Sequence, residues 1–113
     1  MQPNETLILP QTPPMDQLPP ELRETRATYR FDLTDGRSFM LTLDRGRLGV
    51  TEGAAEAECV LRCSMEEFHR VLSGRMNLLT AAMRGDFHLD GNIEFAKRLY
   101  RYLRIARTDG GNS

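Results

Sequence analysis

The chain contains no tryptophan, a single lysine (Lys97), two cysteines and no proline beyond Pro20. No apolar run approaches the ~18 residues that a membrane-spanning helix needs. The mean hydropathy of −0.46 agrees with that exclusion. Neither sign of charge dominates: 15 basic residues stand against 16 acidic ones, for a formal net charge of −1. A nucleic-acid partner, which would be held by counterion release to an excess of cations, is therefore not expected. The glycines form no phosphate-cradling pattern, so no nucleotide cofactor is implied.

The two cysteines, Cys59 and Cys63, lie four apart in an alternating segment. Four strand steps span roughly 13 Å, and a disulfide needs Cα atoms within about 7 Å. They read as small buried hydrophobes in a reducing compartment, and a cytoplasmic location is expected. The segment Leu7-Ile8-Leu9 is too short for a signal-peptide apolar region, and no basic residue precedes it.

A length of 113 residues suits one domain. All six prolines fall at or before Pro20, which marks residues 1–22 as a proline-rich arm, 23–107 as the domain and 108–113 as a disordered tail. Proline fixes φ and removes a donor, so the arm holds neither a central strand nor a long helix. A short helix starting at Pro20 and running through Glu24 is compatible with it.

Past Ala27 the patterns become periodic. Tyr29, Phe31 and Leu33 alternate with Arg30 and Asp32, and an Asp35-Gly36 turn follows. Phe39, Leu41 and Leu43 alternate next, then Leu48 and Val50 beyond Asp44-Arg45-Gly46. These segments predict a three-stranded antiparallel meander with one apolar face. Cys59, Leu61 and Cys63 make a fourth strand, and Asp86 to Asp90 a fifth alternating segment. The period changes at Ser64. Ser64 and Glu67 form a capping box ahead of Met65, Phe68, Val71 and Leu72. Asn77 caps a second helix carrying Leu78, Leu79, Ala82 and Met83, and Asn92 caps a third. In that last helix Ile93, Phe95, Ala96, Leu99, Tyr100, Tyr102, Leu103 and Ala106 fill one side, and Lys97, Arg98, Arg101 and Arg104 the other. A sheet with one apolar face and three amphipathic helices predicts an α+β two-layer sandwich.

From Tyr29 to Leu103 the chain resembles the type 2 sterol carrier protein family. The resemblance is carried by Tyr29-Arg30-Phe31-Asp32-Leu33-Thr34-Asp35-Gly36, by Ser64-Met65-Glu66-Glu67-Phe68, by Leu72-Ser73-Gly74 and, most specifically, by the run Ala82 to Asn92. It implies a five-stranded mixed sheet covered on one face by helices. It also implies a hydrophobic tunnel between the layers that holds a sterol, fatty acyl or isoprenoid lipid without chemistry. The family usually places a long amphipathic helix before the first strand as a tunnel wall, and the prolines forbid one here. The wall is then expected from the arm, with Leu7, Ile8 and Leu9 as an extended lid, or from a second subunit in a homodimer.

The candidate tunnel residues on the sheet side are Phe31, Leu33, Phe39, Leu41, Val50, Leu61, Phe87 and Leu89. On the helix side they are Phe68, Leu72, Leu78, Leu79, Met83, Leu99 and Leu103. Periodicity alone does not distinguish these from an ordinary filled core. An accessory protein-interaction module with a filled cavity is therefore one alternative. The other is an enzyme of hydrophobic substrates using Asp86, His88 and Asp90, which share one face of a strand. The bland reading of those three is a solvated sheet face. Ser64 is used as a cap, which argues against a nucleophile. The basic side of the last helix either complements the negative helix end or touches an anionic membrane transiently through Lys97, Arg98, Arg101 and Arg104.

Overall fold

The computed structural model describes residue 10, residues 12–85 and residues 88–110, the side chains of 107–110 excepted. Five strands form one sheet: β1 Arg26–Leu33, β2 Ser38–Asp44, β3 Arg47–Glu52, β4 Cys59–Cys63 and β5 His88–Gly91. The strand order is β3-β2-β1-β4-β5. β1 pairs with β4 in parallel and every other pairing is antiparallel, so the sheet is mixed. The expected α+β sandwich is thus observed, with helices on one face.

The pairing register explains which side chains meet. One row across the sheet reads Val50, Leu41, Tyr29, Cys59, and the next reads Phe39, Phe31, Leu61, Leu89. Because side chains alternate between faces, both rows point to the same side, where the helices pack. The opposite face carries Arg30, Asp32, Arg62, His88 and Asp90 and meets solvent, as antiparallel sheets permit.

Helix α2 (Met65–Leu72) starts where the capping box requires. Glu67 N donates to Ser64 Oγ at 3.0 Å, and Ser64 N donates to Glu67 Oε1 at 2.8 Å. Helix α3 (Leu78–Met83) begins at Asn77, whose Oδ1 accepts from Leu79 N and Thr80 N. Helix α4 (Ile93–Gly110) follows Asn92, whose Oδ1 accepts from Glu94 N. It runs to Gly110, and residues 111–113 lie outside the described residues. The entry into α4 depends on Gly91, which has φ +112° and packs directly on the Glu58 carbonyl, where a Cβ would collide.

The arm is not free. After Pro13, which is buried, a 3-10 turn (Met15–Gln17) leads into helix α1 (Pro20–Glu24), the short helix expected there. Leu18 and Leu22 are buried in the core. The β2–β3 turn receives this segment at Gly46, where an added Cβ would meet Met15 Sδ at 2.7 Å and Leu18 Cδ1 at 3.0 Å. We call residues 12–24 the strap. Leu7, Ile8 and Leu9, the expected lid, lie outside the described residues.

Candidate functional site

The apolar layer between sheet and helices brings most candidate residues together. Phe31, Leu33, Phe39, Leu41 and Leu61 rise from the sheet against Phe68 and Leu72 on α2, Leu78 on α3, and Leu99 and Leu103 on α4, all buried in one cluster. Its centre is aromatic. The Phe68 ring lies 4.7 Å from that of Phe31 and 5.3 Å from that of Phe39, centroid to centroid. Val50, Leu79 and Leu89 are half-buried at its margin.

The layer is filled. Phe31, Leu41, Leu61, Phe68, Leu72, Leu78, Leu99 and Leu103 are each 0% exposed. Zero accessible surface means that no water-sized space touches these side chains from outside or from within. Of the two arrangements that the sequence leaves open, a tunnel and a filled core, these eight positions show close packing.

Two placements differ from expectation. Met83 is 87% exposed, and α3 instead buries Leu78 and Ala81. Its six residues are apolar on two adjacent stripes, and the i, i+3 pair faces inward. Ile93 is 50% exposed. Phe87 and Asp86 lie outside the described residues.

Sequence patterns missed the layer's polar pins. Tyr29, 0% exposed, donates from its hydroxyl to the Phe95 carbonyl at 2.8 Å. Tyr102 donates to the Gly46 carbonyl at 2.8 Å. Each hydroxyl satisfies a buried polar atom and ties α4 to the sheet or to the β2–β3 turn. Burial raises the pKa of both tyrosines, so both stay protonated donors. Cys59 and Cys63 are free and buried, and burial pushes the Cys63 thiol up to about 12 and raises that of Cys59. They behave as neutral small hydrophobes.

The polar candidates are dispersed. His88 Nε2 lies 3.8 Å from Asp90 Oδ2 on the solvent face of β5, with both side chains mostly exposed. An open groove of about 610 Å³ lies where the 56–58 loop approaches the ends of β1 and β2, bordered by Arg26, Thr28, Thr42, Asp44, Glu56 and Glu58. None of the fifteen candidate tunnel residues borders it.

The basic side of α4 is tied internally. Arg101 Nη1 reaches Glu21 Oε1 at 2.7 Å, Arg98 Nε lies 3.5 Å from Glu21 Oε2, and Lys97 Nζ is 3.2 Å from Glu94 Oε2. The Arg98 and Arg104 guanidiniums sit over the Phe95 and Tyr100 rings at 5.6 and 5.7 Å. No helix among the described residues is long and apolar enough to cross a membrane.

Comparison with known proteins places this geometry. The rat (Rattus norvegicus) hydroxysteroid dehydrogenase-like protein 2 is 32% identical over 86 residues, which is 73% of this chain and 16% of that protein. Its cattle (Bos taurus) counterpart is 29% identical over 86 residues, with 73% and 21% covered. The chain thus spans 16–21% of the length of these curated relatives. Among solved structures, the sec-alkylsulfatase Pisa1 from Pseudomonas sp. matches with a TM-score of 0.63 at 19% identity, covering 80% of this chain and 14% of that one. The ubiquinone synthesis protein UbiJ-SCP2 matches at 0.60 and 20% identity, with 74% of each chain covered. Sterol carrier protein 2 from Aedes aegypti, in complex with palmitate, matches at 0.59 and 19% identity, covering 79% of this chain and 83% of that one. These likenesses show the same fold. A model of the SCP-2 sterol transfer family matches residues 7–104, and the chain belongs to that family.

Proposed function

We propose that this chain binds a hydrophobic small molecule of the sterol, fatty acyl or isoprenoid class between its sheet and helices, and carries or holds it without covalent chemistry. The observation that carries this reading is the apolar layer, whose buried side chains come from three strands and four helices in a chain of the SCP-2 family. The palmitate bound by the structurally similar Aedes aegypti protein supports the ligand class. The absence of chemistry is supported by the state of the reactive groups: protonated buried thiols, a serine engaged in a helix cap, and an exposed histidine whose carboxylate neighbour is 3.8 Å away. Native mass spectrometry of freshly purified protein tests the reading. Copurified lipid, or saturable displacement of a fluorescent dye by long-chain lipids, supports it; a ligand-free chain that no long-chain lipid loads refutes it.

A second reading has an observation of its own. The eight candidate positions with no exposed surface are what a packed accessory module would show. The chain's similarity to short stretches of much longer proteins fits such a role. A compact chain that binds no lipid but retains a protein partner would select it.

A further inference from the structure

The layer is closed, so a ligand must displace something that now fills it. The strands are held by ladder bonds, and among the helices α4 and α2 carry the largest buried side chains, Tyr102 and Phe68. The strap is held differently. Among the described residues, its backbone bonds close on itself: Gln17 N to Pro14 O, Leu18 N to Met15 O, Leu22 N and Arg23 N to Pro19 O, and Thr25 N to Leu22 O. The backbone first joins the body at Thr25, whose carbonyl accepts from Arg45 N at 2.8 Å. Rotation about the residues just before Thr25 would free the strap without breaking a sheet bond.

Side chains hold it down. Leu18 and Leu22 enter the core, and between them Glu21 lays its carboxylate on Arg101 at 2.7 Å and near Arg98 at 3.5 Å. The hydrogen bond from Arg101 holds the Glu21 carboxyl below the usual range, so it is anionic at neutral pH. Arg98 Nε is buried and makes no hydrogen bond to Glu21 or to any other group among the described residues. A carboxylate flanked by aliphatic chains, set on two guanidiniums at the margin of an apolar layer, is the chemistry of a long-chain carboxylic acid.

We propose that the strap occupies, in the ligand-free protein, the entrance of a fatty-acid site. The ligand carboxylate replaces Glu21 on Arg98 and Arg101, and its alkyl chain takes the space of Leu18 and Leu22 and continues into the layer. This rests on the lipid-binding reading and deepens it by naming the ligand class and the point of entry. Guanidinium is suited to this exchange because its planar fork can accept a carboxylate from either source.

The full chain tests it, with displacement of the neutral dye Nile red by palmitate and by hexadecanol, which has the same chain length and no charge. Palmitate is expected to bind at least about tenfold more tightly, the worth of a charge-assisted hydrogen bond. Arg101→Gln should remove most of that preference: hexadecanol, which no longer has to break the Glu21–Arg101 pair, should bind more tightly, while palmitate, which loses the same partner that the strap loses, should change little. Glu21→Gln, on the exposed side of the strap, should strengthen palmitate up to about fivefold by removing the competing carboxylate. Saturating palmitate should also speed tryptic cleavage after Arg23. A preference for palmitate over hexadecanol that is the same in wild type and Arg101→Gln, with palmitate affinity unchanged in Glu21→Gln and Arg23 still protected, overturns the strap exchange and leaves the lipid-binding reading intact. No displacement by either lipid overturns both.

Discussion

Phe68→Ala probes the layer at its centre. Phe68 has no exposed surface and contacts two other rings, those of Phe31 and Phe39. Truncating a buried phenylalanine costs about 3–5 kcal/mol. The lost ring pairs, each worth ~0.5–1.5 kcal/mol beyond burial, place this site near the upper end, about 5 kcal/mol. With an unfolding entropy of about 2.1 cal/mol/K per residue, that loss lowers the Tm of this chain by roughly 20 °C. The variant also creates space inside the proposed ligand layer. A lipid at about 100 times its Kd stabilises a binding protein by ~2.7 kcal/mol, or roughly 11 °C here. The gain should be larger in Phe68→Ala than in wild type, where a ligand must first displace packed side chains. Differential scanning calorimetry with and without palmitate reads both effects. A loss below about 1 kcal/mol would mean that Phe68 is not packed as described. An equal palmitate gain in both proteins would refute the argument that the ligand occupies this layer.

Leu72→Trp adds volume at a position with no exposed surface and should cost ~1–3 kcal/mol by overpacking. Dye displacement should show weaker lipid binding, and unaltered affinity would place the ligand elsewhere. His88→Ala, on the solvent face, should change stability by less than ~0.5 kcal/mol and leave lipid binding intact; a loss of binding would show that β5 belongs to the site. Arg37 hydrogen bonds hold the Asp35 carboxyl below its usual range, and Arg101 does the same for Glu21. Folded values below unfolded ones stabilise the fold above the ordinary carboxylate range, and that contribution is lost as pH falls through the folded values. Chemical denaturation at stepped pH should therefore show an acid limb that Asp35→Asn flattens. Because the strap buries Leu18 and Leu22 within the same chain, sedimentation should report a monomer; a dimer would mean that a second subunit still covers part of the layer.

The strands were legible because each alternates with a period of two between turn residues. Tyr29, Phe31 and Leu33 face the helices, and Arg30 and Asp32 do not. The Ser64 cap was legible because its two hydrogen bonds span three residues. What escaped is either phase-ambiguous or distant in sequence. In α3, Leu78 with Ala81 and Leu79 with Met83 make equally plausible stripes, and only packing against α4 selects the first. The strap left a faint signal, two leucines four apart beside Pro19 and Pro20. Its anchor, Glu21 on Arg101, joins residues 80 apart. The tyrosine pins join residues 66 and 56 apart. A single sequence carries no record of such pairs.

Closure of the layer follows from energetics whether or not a lipid is its natural occupant. A lipid site of about 300 Å³ left empty costs roughly 7 kcal/mol at ~24 cal/mol per Å³. Domains of this size are stable by only ~5–15 kcal/mol in all. A ligand-free chain that folds must therefore fill the space, and the question becomes which filler yields. Displacing the aromatic centre sacrifices about 5 kcal/mol at Phe68 alone. Displacing the strap exposes Pro13 and two leucines, the leucines worth ~1.5–3 kcal/mol each, and no ladder bond. About eight buried methylenes contribute ~6 kcal/mol, enough to offset both leucines. A sixteen-carbon acid carries that many methylenes and more, and its carboxylate returns to the arginines what the loss of Glu21 removes. An acid of six carbons does not reach that length, so binding should rise steeply with chain length between these limits. Affinities that stay flat from hexanoate to palmitate would show that the strap is not the element the ligand displaces.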